Sequence, residues 1–302
     1  MAKFERSFPL ELQEALKKPP LYTECLLRDI CSGEVFPAFR NNKIDFYHKG
    51  GRLFEFDGNE FTTHVKYASV LHGYGKPYIK ENLLDYGNVR LIRDFKEGYT
   101  RIKENCSLHS GLEASGVAEI YEKSSYLKTD QNVVVLDIEA SLESLTKEEE
   151  WSDELPDDGK KRTQDRLDLL LFNKPERCLQ FFEVKHFGNK DLWSKAEKPP
   201  EVVSQMLEYN KQLEERNEEL LQAYKDYART VRELFGLSEE SMPNPVSLEK
   251  DVVLLVFGFD SRQREKLHEL LIEDGSLNGF RYCFIGRPKH AEQMWKNREL
   301  GK

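Results

Sequence analysis

Glu183, Val184 and Lys185 form the only Glu-x-Lys triplet in a chain rich in both charged residues. It falls inside Cys178 to Phe187, a run of large apolar and β-branched residues that reads as a strand. A second such run, Arg166 to Asn173, carries Asp168, and the connection between them, Lys174 to Arg177, contains the turn-forming Pro175. A turn centred on Pro175 and Glu176 pairs the runs antiparallel and sets Asp168 opposite Glu183 and Arg166 opposite Lys185, all four on one face. The other face carries Leu167, Leu169, Leu171, Phe182 and Val184, and the charged face turns apolar through Leu170, Phe172, Leu179 and Phe181, so both must be covered.

Two carboxylates about 5 Å apart beside covered apolar surface repel each other and lose hydration, unless a cation compensates them. Magnesium prefers one or two carboxylates and completes its shell with water and phosphate oxygens, which makes the pattern suited to activating water against a phosphate ester. Lys185 would orient that water or neutralise the developing charge. The same residues also fit an ordinary ion-pair network in which Asp168 and Glu183 pair with Arg166 and Lys185.

The flanking elements follow from periodicity and turn signals. Lys43 to Leu71 turns repeatedly, with Asp57 and Gly58 between aromatic-rich runs, and predicts a β-meander. A weakly amphipathic helix is predicted over Asn88 to Asn105 and a short one over Val117 to Lys123. A β-branched strand follows from Asn132 to Ala140, and the acidic Glu143 to Lys161 reads as a solvated loop. After the hairpin come a long helix over residues 200–235, stopped by Gly236, a strand from Val252 to Phe259, a helix from Arg262 to Leu271 and a strand from Phe280 to Ile285. The expected division is a β-rich N-terminal domain over 1–110, for target or partner recognition, and a second domain over 111–302.

A helix, three strands, a helix and a further strand, with Asp on the second strand and Glu-x-Lys on the third, resembles the PD-(D/E)XK nuclease superfamily over about residues 112–260. Leu167 stands where the proline of that name would be. Gln205 and Tyr209, one helical turn apart, are similar to the Gln-x-x-x-Tyr motif of RecB-like nucleases. The resemblance implies an α/β (α+β) fold with a restriction-endonuclease-like αβββαβ core, a mixed sheet flanked by helices. It implies Mg2+, with Mn2+ able to substitute, held by Asp168, Glu183 and the Val184 carbonyl. Glu119 on the preceding helix would join them, with Glu122 and Glu113 as alternatives and Asp165 as a rival to Asp168. Lys185 would be the catalytic lysine, and Gln205 and Tyr209 would position the substrate. Their own periodicity also suits Tyr209 to an apolar stripe. The implied activity is hydrolysis of DNA phosphodiester bonds in restriction, phage defence, recombination or repair, with Lys185→Ala abolishing cleavage while sparing the fold. The alternative is a nuclease fold without cleavage, acting as a nucleic-acid-binding or protein-interaction module.

A net charge of −9 repels polyanions, so DNA binding needs a local basic surface. Lys43, His48, Lys49, Arg52, His64 and Lys66, interleaved with Phe46, Tyr47, Phe54 and Phe61, offer one, or else form a solvated sheet face. Cysteines and histidines lack metal-ligand spacing, the glycines lack a phosphate-loop context, and His186 takes no catalytic role on the face opposite Lys185. Asp137 and Glu139 share a face of their strand and either reach the cluster or lie at its exposed end. No apolar run approaches membrane-spanning length, so a cytoplasmic protein is expected. The stripe Val202, Met206, Tyr209, Leu213, Leu220, Ala223, Tyr227 and Leu234 packs on the chain's own sheet or supports a homodimer or protein partner.

Overall fold

A computed structural model describes residues 4–70, 90–142, 166–194 and 199–301. The acidic stretch after the first predicted strand, with Asp165, lies outside them from residue 143 to 165. The chain divides into two compact units, one of them Met1–Ser110 and the other Gly111–Leu142 with Arg166–Lys302.

In the first unit, helix α1 (Leu10–Leu16) and a wide helical turn (Leu21–Leu26) running into α2 (Leu27–Ser32) precede the meander, and the sequence reading missed all of them. Strands β1 (Phe36–Arg40), β2 (Lys43–His48), β3 (Gly51–Phe56) and β4 (Phe61–Thr62) form an antiparallel sheet in that order. Asp57 closes the β3–β4 turn by accepting from the Asn59 and Glu60 N–H groups, and Gly58 takes φ 99°. A short helix, α3 (Val65–Ala68), replaces the end of the predicted meander. Helix α4 spans Tyr99–Leu108 rather than starting near Asn88, because Leu91 is drawn into a bridge with Ser69. Phe46, Tyr47, Phe54 and His48 are buried, Arg52 pairs with Asp45 and Glu55, and Lys43 pairs with Glu55. Most aromatics of the proposed DNA-contacting face are therefore core residues, and two of its cations are engaged by carboxylates.

In the second unit the order is helix α5 (Leu112–Ser124), strands β5 (Val133–Ser141), β6 (Arg166–Asn173) and β7 (Cys178–His186), then helices α6 (Glu201–Glu215) and α7 (Asn217–Phe235). Strands β8 (Ser247–Leu248) and β9 (Val253–Phe257), helix α8 (Ser261–Leu267), strand β10 (Arg281–Phe284), helix α9 (Ala291–Lys296) and strand β11 (Glu299–Leu300) complete it. The mixed sheet runs β11-β10-β9-β7-β6-β5 with β8 beside β7; β6 is antiparallel to its neighbours β5 and β7, while β9 lies parallel to both β7 and β10. The hairpin register is the one its turn dictates: Leu169 faces Phe182 and Asn173 faces Cys178.

The long helix of residues 200–235 is two helices. Arg216, at φ −115° and ψ 14°, breaks it, and its guanidinium binds the Leu142 carbonyl and the Glu219 carboxylate. Gly236, at φ 66°, ends the second helix as expected. Val202 and Met206 of α6 pack with Leu254 and Val256 of β9, and Tyr224 of α7 meets Phe181 of β7, ring centroids 6.0 Å apart. All residues of the apolar stripe are buried, so it serves the chain's own core. Gly116 of α5 lies against the Phe257 ring, where a Cβ would stand 2.3 Å from the nearest ring atom, so this glycine brings α5 onto the opposite face. Among the described residues, no helix is long and apolar enough to cross a membrane.

Candidate functional site

Glu183 and Lys185 project from the last turns of β7 onto the face covered by α6. Their partners in β9 are Leu254 and Val256, which α6 packs against. Both are almost fully buried, 3% and 7% exposed, and Lys185 Nζ donates to Glu183 Oε1 at 2.5 Å. Asp168, half-buried near the start of β6, accepts the Val184 N–H through Oδ2 at 2.7 Å, which ties it to β7 at the residue between those two. Glu183 Oε2 is buried with no hydrogen-bond partner.

Burial pushes the Asp168 carboxyl well above the usual carboxylate range, with the Glu183 and Glu139 charges adding to it and Lys185 opposing. Burial also raises Glu183, against the pull of Lys185. Burial alone would lower Lys185, but Glu183 and Asp168 outweigh it and hold the ammonium above its ordinary range. The site is thus one buried cation among carboxylates that outnumber it.

A cleft of about 460 Å3 opens beside Asp168, lined also by Glu113, Glu139, His186, Gly188 and Asn189. The helix glutamate that reaches this region is Glu113, in the first turn of α5. Its carboxylate accepts from the His186 N–H at 3.0 Å and from Asn189 Nδ2 at 2.6 Å, and its charge is felt by both Glu183 and Lys185. Glu119 does not line the cleft; its half-exposed side chain lies 3.8 Å from Lys123 in an i,i+4 pair. Asp137 is sunk in the core, taking the Tyr224 hydroxyl at 3.0 Å, so of the two acidic residues on β5 only Glu139 opens to the cleft. His186, Gly188 and Asn189 were missed as lining residues. Their signal was a turn-type Gly-Asn pair directly after the Glu-x-Lys strand.

Gln205 and Tyr209 lie on α6, over the face that carries Glu183 and Lys185. Tyr209 is buried, and its hydroxyl donates to the Arg166 carbonyl at 3.0 Å, anchoring the start of β6 two residues before Asp168. Gln205 Oε1 is buried without a hydrogen-bond partner. Tyr209→Phe would leave the Arg166 carbonyl without this donor, and urea unfolding should register a loss of about 0.5–1.5 kcal/mol. An unchanged midpoint and slope would mean that the bond does not hold the strand.

Among the described residues, no three His, Cys, Asp or Glu side chains are grouped closely enough to hold a metal ion by themselves. Magnesium does not require three, because water, a backbone carbonyl and phosphate oxygens complete its shell. The unpartnered Glu183 Oε2 and the crowded carboxyl of Asp168 are the oxygens that such a cation would satisfy. Comparison of the chain with protein-family models, with curated proteins and with solved structures gives no match.

Proposed function

We propose that this chain is a metal-dependent nuclease of the PD-(D/E)XK kind, with a restriction-endonuclease-like core, that hydrolyses phosphodiester bonds of DNA in the cytoplasm. The observation that carries the reading is the buried Glu183–Lys185 pair, with Glu183 Oε2 unpartnered and Asp168 tied to it through the Val184 N–H. Three antiparallel strands followed by a helical crossover to a parallel fourth supply the framework in which the motif residues meet.

Asp168, Glu183 and the Val184 carbonyl would hold Mg2+ or Mn2+. Such a cation, when bound, supplies charge against a phosphate oxygen and lowers the pKa of a water ligand. Lys185 keeps its ammonium charged beside Glu183 and so offers a fixed donor to the attacking water or to the phosphate. Glu113 fixes the backbone at His186 and the side chain of Asn189, holding the cleft wall. Tyr209 anchors β6 behind Asp168, and Gln205 brings an unsatisfied amide oxygen to the same helix.

The test is incubation of circular and linear DNA, double- and single-stranded, with Mg2+, Mn2+ or EDTA. Cleavage that needs the cation and disappears in folded Asp168→Ala protein is expected, and accumulation of nicked or linear circles would mark endonucleolytic action. Absence of cutting on every substrate, with DNA still bound, would favour a catalytically silent binding module.

A further inference from the structure

We infer that Trp193 and Phe187 form a stacking platform for an unpaired base next to the scissile phosphate, so that the DNA taken is single-stranded. The inference rests on the nuclease reading and adds the substrate class. Phe187 follows Lys185 by two residues, and its N–H donates to the Phe257 carbonyl at 2.8 Å, which continues the β7–β9 ladder. Strand alternation therefore puts Phe187 on the face of Glu183 and Lys185, about 7 Å beyond the lysine along the strand, on the scale of one nucleotide. Its ring meets Trp193 at 5.1 Å between centroids and at 73°, and Phe259 at 6.5 Å. All three rings are half-buried: each packs against the core under α6 and keeps part of its surface open. Leu192, wholly buried in that core, anchors the loop that carries Trp193.

The second observation is charge. Lys190 and, one turn apart on α8, Arg262 and Lys266 are exposed, and none of them pairs with a carboxylate among the described residues. Lys266 Nζ stands 5.3 Å from the centroid of the Trp193 ring. Glu265, the exposed acid beside it in sequence, lies about 100° round the helix. A chain of net charge −9 needs a local basic surface to hold a polyanion. The meander does not provide one, because most of its aromatics are core residues and Lys43 and Arg52 are engaged by carboxylates. Around Trp193, unpaired cations and open aromatic surface coincide. That combination suits a single strand, whose bases each offer a π-face while the intervening phosphates take the cations. A base inside a duplex keeps its faces stacked on its neighbours, so the platform selects unpaired DNA.

The experiment measures, by fluorescence anisotropy in EDTA, binding of a labelled oligothymidylate and of a blunt DNA duplex to the full chain. Wild type, Trp193→Leu, Trp193→Phe and Lys266→Ala are compared, beside the cleavage assay with Mg2+. Wild type is expected to bind the single strand more tightly than the duplex. Trp193→Leu, which keeps apolar packing, should bind the single strand about tenfold more weakly, and Trp193→Phe, which keeps an aromatic face, should stay within about threefold of wild type. Lys266→Ala, an exposed change that spares the core, should flatten the slope of log affinity against log salt by about 0.7, one phosphate contact on a single strand. Wild-type affinity in Trp193→Leu overturns the inference. An equal loss in Trp193→Phe also overturns it, because packing would then be responsible rather than stacking. Duplex bound as tightly as single strand overturns it too, and Mg2+-dependent cutting in that case leaves the nuclease reading standing. Stacking borne out by the variants, in a protein that cuts no DNA, overturns the nuclease reading alone.

Discussion

Lys185→Met should abolish cleavage and also weaken the fold. Loss of a fixed donor positioned for the reacting phosphate typically lowers turnover by about 10²–10³-fold. The second effect comes from burial. Lys185 is 7% exposed and its Nζ sits 2.5 Å from a Glu183 that is 3% exposed, so methionine leaves a buried carboxylate with neither its ion-pair partner nor water. Breaking one side of such a pair typically destabilises by about 3–5 kcal/mol. The resemblance implies that Lys185→Ala spares the fold. The burial of the Glu183–Lys185 pair changes that expectation. Urea unfolding without metal, run beside the cleavage assay, reads both effects. A variant as stable as wild type would show that Glu183 finds other compensation, and a variant that still cuts would remove Lys185 from the chemistry.

Asp168→Asn should also lose cleavage, by a similar factor, while moving stability in the opposite direction. The amide keeps an oxygen to accept the Val184 N–H, so the tie between β6 and β7 survives. What disappears is a negative charge crowded by Glu183 and Glu139 in a poorly hydrated place. Metal-free Asp168→Asn is therefore expected to be more stable than wild type, by the order of 1 kcal/mol, and to gain less from added Mg2+ because one cation ligand is gone. Differential scanning calorimetry with and without Mg2+ separates the two terms. A metal-free variant that melts below wild type would show that Asp168 holds the fold rather than opposing it.

The hairpin was legible because its signal is local. A two-residue period and a short Pro-containing turn fix the register, and the charged residues then share a face by geometry alone. The choice between Glu113 and Glu119 was not local. Six residues apart, they point about 120° away from each other around a helix, and which faces the strands depends on where α5 docks. That docking is set by Gly116 against Phe257, a contact between segments far apart in sequence. Asp137 and Glu139 do share a face in the strand pairing. One lies under Tyr224 and the other at the cleft, and only the tertiary structure distinguishes their depths. The apolar stripe has no member between Leu213 and Leu220, where Arg216 stands, but arginine is a good helix former, so local propensity gave no reason to stop there.

Strand β7 is flanked by β6 on one side and by β9 on the other, and its eight residues from Cys178 to Lys185 are buried. Backbone amides in such a position exchange with solvent only when large parts of a domain open together. Glu183 and Lys185 therefore ride on one of the stiffest stretches of the chain. Local breathing cannot tune their separation, so adjustment to differently shaped ligands falls to the loop that begins at Gly188 and to the first turn of α5.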